Sequence, residues 1–238
     1  MSSTVSNIDI CEIERVEVTV EPWSWAFAAE RRDEIDRHFA LRQGERPGLW
    51  NGRVLLLHRY AINNRVLGGA CFETDYASFL AWRQWKFPGA EVYNIFAAAA
   101  LRAADGAYVV GEMASHTAAA GLIYFPCGTP DPADIGRDGL FDCAGSVSRE
   151  LMEETGIDIA GLDARPGWLL LRDRGYLALM KRLTARENAD ELRARIIATL
   201  ARQAQPEFSD IRIVRGPADL DPHMPRFMVA FLERAWRE

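Results

Sequence analysis

Cysteine is scarce in this chain of 238 residues, and long basic or apolar runs are absent. The four cysteines, Cys11, Cys71, Cys127 and Cys143, are widely spread and form no C-x-x-C pair. That spacing supports neither a zinc site nor a disulfide framework, and reduced thiols in a cytoplasmic protein are expected. No dense run of lysine or arginine occurs, and the formal net charge is −6. An acidic chain does not concentrate nucleic acid by its overall field, so no nucleic-acid partner is expected. A phosphorylated substrate stays open, because a divalent cation can supply the positive charge it needs. The N-terminal stretch Met1–Val20 carries Asp9, Glu12, Glu14 and Glu17 and lacks the basic start and apolar core of a signal peptide. The apolar stretch Val92–Ala104 is short and broken by Asn94 and Arg102, so no membrane span is expected. Internal repeats and low-complexity tracts are missing too.

What is present is the composition of a globular protein, 49% hydrophobic and 26% charged, long enough for one large or two small domains. Alternation in Val16–Val20 predicts a strand that Pro22 ends. Ser24–Leu41 reads as one amphipathic helix whose charged side is a solvated face. Val54–Tyr60 and Leu67–Thr74 read as strands joined at Asn63-Asn64, and Tyr76–Trp85 as a helix or an aromatic-rich loop. Asn94–Arg102 is ambiguous: its alanines favour helix, its place before a hairpin favours strand. Asp105-Gly106 predicts a hairpin turn leading into a strand over Ala107–Glu112. The Pro- and Gly-rich segment Tyr124–Asp142 must be mostly loop. Asp142 can cap the helix that follows and Gly156 can end it. Trp168–Leu171, Tyr176–Leu183 and Ile211–Val214 read as strands, Asp190–Arg202 as a helix, and Arg226–Trp236 as a strand or a helix.

The chemistry concentrates in Arg149-Glu150-Leu151-Met152-Glu153-Glu154-Thr155-Gly156-Ile157. Glu150, Glu153 and Glu154 stand at i, i+3 and i+4, on one side of a helix. Like charges so placed repel, which calls for a compensating cation, and carboxylate oxygens suit Mg²⁺ or Mn²⁺. Arg149, four residues before Glu153, can fix a carboxylate. The bland alternative is an exposed, charged helix end. Against it stand the Gly/Pro-rich loop before the cluster, the glycine cap after it, and apolar Leu151 and Ile157, which can pack on a sheet.

This segment resembles the second half of the Nudix box, G-x5-E-x7-R-E-U-x-E-E-x-G-U with U aliphatic, and each fixed position of that half is present. Phe125-Pro126-Cys127-Gly128 resembles the entry to the same box. The first half departs from the pattern. Counting back from Arg149, the box glutamate falls on Phe141; counting forward from Gly128, it falls on Asp134. The loop is about seven residues longer than standard. Asp134 and Asp142 compete for the missing acidic role. The resemblance implies an α+β fold: a Nudix-like α/β/α sandwich with a mixed sheet, here as residues 91–238 behind an N-terminal extension, 1–90, with a role in substrate recognition. It implies a metal-dependent hydrolase that cleaves the phosphoanhydride of a nucleoside diphosphate linked to another moiety. Glu150, Glu153 and Glu154 would hold the metal, Arg149 would orient a carboxylate, and Gly128 and His116 would lie near the substrate phosphates. Leu49–Trp82, with Phe72, Tyr76, Phe79 and Trp82, resembles the UDP-sugar-hydrolysing branch.

Other residues carry weaker signals. His116 follows a predicted strand and reads equally as a loop histidine. Ser115 and Ser146 lack a nucleophile elbow. Trp23, Trp25, Trp50, Trp82 and Trp85 are core residues by default, although any could stack a base. Glu207 in a C-terminal loop reads first as a solvated carboxylate, and only secondarily as a general base beside the box glutamates. The rival to an enzyme is a non-catalytic nucleotide-binding module of the same fold.

Overall fold

The computed structural model describes residues 8–89 and 91–238, so the reading of Met1–Asn7 as no part of a signal peptide lies outside the described residues. Among those described, eleven strands and six helices follow one another: β1 Asp9–Ile13, β2 Arg15–Val20, α1 Ala26–Glu30, α2 Arg32–Glu45, β3 Arg53–Asn63, β4 Val66–Asp75, α3 Tyr76–Gln84, β5 Asn94–Arg102 and β6 Tyr108–Met113. Then come β7 Ile123–Tyr124, α4 Cys143–Thr155, β8 Asp163–Ala164, β9 Trp168–Asp173, β10 Tyr176–Thr184, α5 Ala189–Leu200, β11 Phe208–Val214 and α6 Arg226–Ala235. The larger sheet runs β1-β9-β10-β5-β6-β11, with β7 on β6 and β8 on β10. It is mixed: β10 and β5 are parallel, while β9 pairs antiparallel with β10 and β11 with β6. The smaller sheet, β2-β4-β3, pairs β2 parallel to β4 and closes β3 and β4 into a hairpin. The chain is therefore α+β, as expected. No helix among the described residues is long and apolar enough to cross a membrane.

Strand β5 shows why the layers form. Ile95, Ala97, Ala99 and Leu101 point into one core with Val147 and Leu151 of α4 and Leu192 and Ile196 of α5. Phe96, Ala98 and Ala100 point into another with Phe227, Met228 and Phe231 of α6. A strand covered on both faces has no polar side to alternate with, so its alanines imitate a helix in sequence. Their small side chains leave room for the helices on either face. Arg226–Ala235 is a helix because its apolar residues Phe227, Met228, Phe231 and Leu232 recur at helical spacing and are all buried.

The expected single helix Ser24–Leu41 is instead two, α1 and α2, broken at Arg31. At about 100° per residue, Phe27 would lie about 80° from Ile35 and about 120° from Phe39 in one continuous helix. The break lets Phe27 and the buried Ile35 and Phe39 pack in the same cluster. Arg31 stands over the rings of Phe27 and Trp85 at 5.8 and 5.7 Å. Tyr76–Gln84 is a helix rather than a loop: Asp75 caps it at the Ser78 amide, and Phe79 and Trp82 are fully buried.

Residues from 8 to 89 share a sheet and a core with those after 91. β1 pairs with β9 in the larger sheet, and Ile13, Val18, Leu55 and Leu57 share the core of α4. The long loop before α4 is fastened to the smaller sheet. Leu55 donates its amide to the Pro130 carbonyl at 2.8 Å, and Phe141 donates to the Val18 carbonyl at 2.8 Å. This anchoring ties the loop to the second sheet.

Candidate active site

Helix α4 begins where the Asp142 side chain accepts the Gly145 amide at 2.9 Å. It ends where Gly156 turns left-handed at φ 69°, a conformation that glycine adopts without steric cost. Val147 and Leu151 face the core, which sets the rotation of the helix. That rotation splits the glutamates. Glu150 and Glu154 are buried, whereas the Glu153 side chain is 59% exposed.

The buried pair meets the entry loop. Cys127 donates its amide to Glu154 Oε2 at 3.0 Å, and Glu154 Oε1 is buried with no hydrogen-bond partner. Gly128 lies against Glu150 so tightly that a Cβ there would come 2.6 Å from the carboxyl carbon. Arg149 ties the cluster together. Its Nη2 donates to both Asp134 oxygens at 2.9 and 3.2 Å. Its Nη1 lies 2.8 Å from Glu150 and 3.3 Å from Glu153. The two aspartates thus have separate tasks: Asp134, 4% exposed, faces Arg149, and Asp142 caps the helix. Loop closure decides between them. Asp142 donates its amide to the Asp134 carbonyl at 2.8 Å, which folds Asp134 back over the first turn.

Glu207 joins the group from the loop just before β11. Ala114 donates its amide to the Glu207 carbonyl at 2.7 Å, and the Glu207 charge acts on Glu150 and Glu154. No cation pairs with the Glu207 carboxylate among the described residues. Burial, opposed by Arg149 and reinforced by Glu207 and Glu153, pushes Glu150 up to about 7. Burial and the neighbouring carboxylates also push Glu154 well above the ordinary range. Protons thus neutralise a charge that Arg149 alone does not balance.

A hard divalent cation fits this donor chemistry: oxygen ligands only, one of them buried and unpartnered. Among the described residues, however, no three His, Cys, Asp or Glu side chains are arranged to hold an ion as they stand. Arg149 occupies Glu153 and one oxygen of Glu150, so the glutamates have to turn for all three to serve.

A stability test follows from the raised carboxylates. Between pH 4.5 and about 7 the folded chain holds a proton on Glu150 that the unfolded chain has lost. That stabilisation is full below 4.5 and disappears as pH rises through the folded value. Carboxylates pulled down against burial by hydrogen bonds, such as Asp75 with the Ser78 amide and Arg32, act at lower pH. We expect the metal-free Tm to fall by roughly 5 °C from pH 5 to pH 8, and Mg²⁺ to restore more of it at pH 8 than at pH 5. A melt that is flat over this range, or equal metal effects at both pH values, contradicts the expectation.

Of the other residues that the sequence singles out, His116 and Ser115 are exposed in the turn between β6 and β7. Arg46, just past the end of α2, holds that turn by donating to the Thr117 carbonyl at 2.6 Å. His116 is not a wall of the cavity beside Gly128. Neither is any of the five tryptophans named above: Trp25 and Trp82 are core, Trp23 stacks on His58 at 4.8 Å, and Trp50 is 80% exposed. Phe72, Phe79 and Trp82 form a buried cluster. Asn94, Arg83, Tyr176 and Phe227, which do line the cavity, carried no signal in the sequence. Each sits on a separate element, without a common spacing.

The α4 motif and the layered mixed sheet resemble the Nudix superfamily. No protein-family model matches the chain, and no curated protein matches it. Solved structures do. A MutT protein from Methanosarcina mazei Go1 is 19% identical with a TM-score of 0.39, covering 61% of this chain and 94% of that one. A Nudix hydrolase from M. smegmatis, RenU, is 17% identical with a TM-score of 0.39, covering 61% and 87%. A Nudix hydrolase from Nitrosomonas europaea is 16% identical with a TM-score of 0.33, covering 61% and 86%.

Proposed function

We propose that this chain is a hydrolase of the phosphoanhydride bond in a nucleoside diphosphate linked to another group, using Mg²⁺ or Mn²⁺ at Glu150, Glu153 and Glu154. The observation that carries the reading is the buried, unpartnered Glu154 Oε1 beside a second buried carboxylate, Glu150. Such a pair is costly without a cation or a proton. When bound, the cation would neutralise the diphosphate and make water a better nucleophile. The chain's own residues supply position. Arg149, held by Asp134, orients Glu150 and Glu153 through charge-assisted hydrogen bonds. Gly128 brings backbone close to Glu150, where a phosphate can approach without a side chain intervening. Glu207 is exposed and paired with no cation among the described residues, which suits it to take a proton from attacking water. A nucleotide sugar is one member of this substrate class. The setting is a cytoplasmic one, with the cysteines reduced and small nucleotides as partners.

The test is phosphate release from a panel of nucleoside diphosphate derivatives, with Mg²⁺, with Mn²⁺ and with chelator. Release that the chelator abolishes supports the reading. Nucleotide binding without any turnover would favour the non-catalytic module, whose supporting observation is that the described carboxylates do not converge as they stand.

The Asp134–Arg149 pair gives a second check. Asp134→Asn removes the charge opposite Arg149 and should cost roughly 10–100-fold in metal affinity or activity. Asp142→Asn keeps a competent helix cap and should change little. Metal titration of both variants decides it, and equal effects would sink the division of labour between the aspartates.

A further inference from the structure

A cavity of about 330 Å³ opens beside Gly128, and much of its wall is aromatic: Phe96, Tyr124, Tyr176 and Phe227. Asn94 also lines it. The residue is 5% exposed, and its Oδ1 is buried without a hydrogen-bond partner. An unmet buried carbonyl is costly, so a hydrogen-bond donor brought to this one by a ligand is favoured. The position is rigid. Asn94 is the first residue of β5, donates its amide to the Gly175 carbonyl at 2.8 Å, and lies opposite Tyr176 in the parallel register with β10.

Arg83 completes the wall from α3. It stands 5.3 Å from the Phe79 ring centre, and among the described residues it makes no ion pair. Aromatic faces set around a planar amide suit a flat ring whose edge carries a donor next to an acceptor. An asparagine amide matches such an edge with two hydrogen bonds at once. Aliphatic ligands would waste the ring faces, and a ring without an N–H would leave Oδ1 unmet.

We propose that this cavity receives the nucleobase of the substrate, with the Asn94 amide as the group that selects among bases and Arg83 as a wall supplied by the N-terminal region. The proposal rests on the hydrolase reading, because Gly128 joins the cavity to Glu150. Asn94 is a specificity residue here and takes no part in bond cleavage.

Binding without metal and without turnover separates this proposal from that reading. AMP, GMP, CMP, UMP and ribose 5-phosphate are titrated calorimetrically into the wild-type chain, Asn94→Leu and Asn94→Asp. At least one nucleotide should bind the wild type about 10-fold or more tighter than ribose 5-phosphate. Asn94→Leu, which keeps volume but removes both hydrogen-bonding atoms, should erase that margin and leave ribose 5-phosphate binding as it was. Asn94→Asp keeps acceptors only and should change the order of preference among the four bases. This variant decides the question if Asn94→Leu fails to fold. The proposal is overturned if no nucleotide binds tighter than ribose 5-phosphate, or if the order of base preference is the same in every folded variant. Base-selective binding that depends on Asn94, in a chain showing no metal-dependent phosphate release, would keep the cavity assignment and remove the hydrolase.

Discussion

Replacing Glu154 with glutamine is expected to lower metal-dependent kcat by on the order of 10²–10³-fold while leaving the metal-free fold as stable as before or more so. The two halves of that expectation have one electrostatic cause. Glu154 is 2% exposed, and burial with nearby Glu150 and Glu207 favours its neutral form. Glutamine has the shape of the protonated acid, and its amide oxygen can still accept the Cys127 amide that now reaches Oε2 at 3.0 Å. The apo chain therefore loses little, and relief of repulsion adds stability where Glu154 would have ionised. A metal shell loses a full negative charge, and water and phosphate are then positioned poorly. The same exchange at Glu153 gives a contrast, because that side chain is 59% exposed and held only by Arg149. A merely solvated helix end would show no change in turnover there. We expect loss of turnover at Glu153 as well, with the metal-free Tm unchanged. Assays at saturating Mg²⁺, beside melts without metal, decide both. Wild-type kcat in the two variants would place the chemistry elsewhere.

The second large effect is expected at Gly128. A Cβ at this position would stand 2.6 Å from the Glu150 carboxyl carbon, far inside van der Waals contact. Glu150 is buried and lies 2.8 Å from Arg149, so a Cβ pressed against its carboxyl competes with any turn of that group toward a cation. The entry loop has little room to withdraw. Cys127 is bound to Glu154, and the Ala99 amide donates to the Pro126 carbonyl at 2.9 Å. Gly128→Ala should therefore cost about 1–3 kcal/mol of stability as overpacking, and should abolish most turnover because Glu150 is displaced. Gly161, where a Cβ would meet nothing within 4 Å, is the control, and Gly161→Ala should be close to silent in activity. A Gly128→Ala chain with wild-type activity and Tm would contradict the tight packing of loop on helix.

Local rules carried much of this protein in its sequence. The cap at Asp142, the stop at Gly156 and the glutamate spacing are properties of neighbours along one helix, so α4 and the clustering of its carboxylates could be read without a fold. The same holds for the β3–β4 hairpin, whose turn falls at Asn64-Arg65, one residue on from the expected Asn63-Asn64, and for α5, expected over Asp190–Arg202 and found over Ala189–Leu200. Tertiary structure decided what spacing leaves open. Glu150, Glu153 and Glu154 share a side of α4, but only packing of Val147 and Leu151 buries two of them and leaves the third in water. Both Asp134 and Asp142 are carboxylates near the helix start, and the loop's attachment to the smaller sheet turns Asp134 to Arg149. The alanines of β5 favour a helix by intrinsic preference, and burial on both faces overrides it. Asn94, Arg83 and Glu207 stand on β5, on α3 and just before β11. Nothing in a one-dimensional pattern brings such residues together; two sheets folding around one helix do.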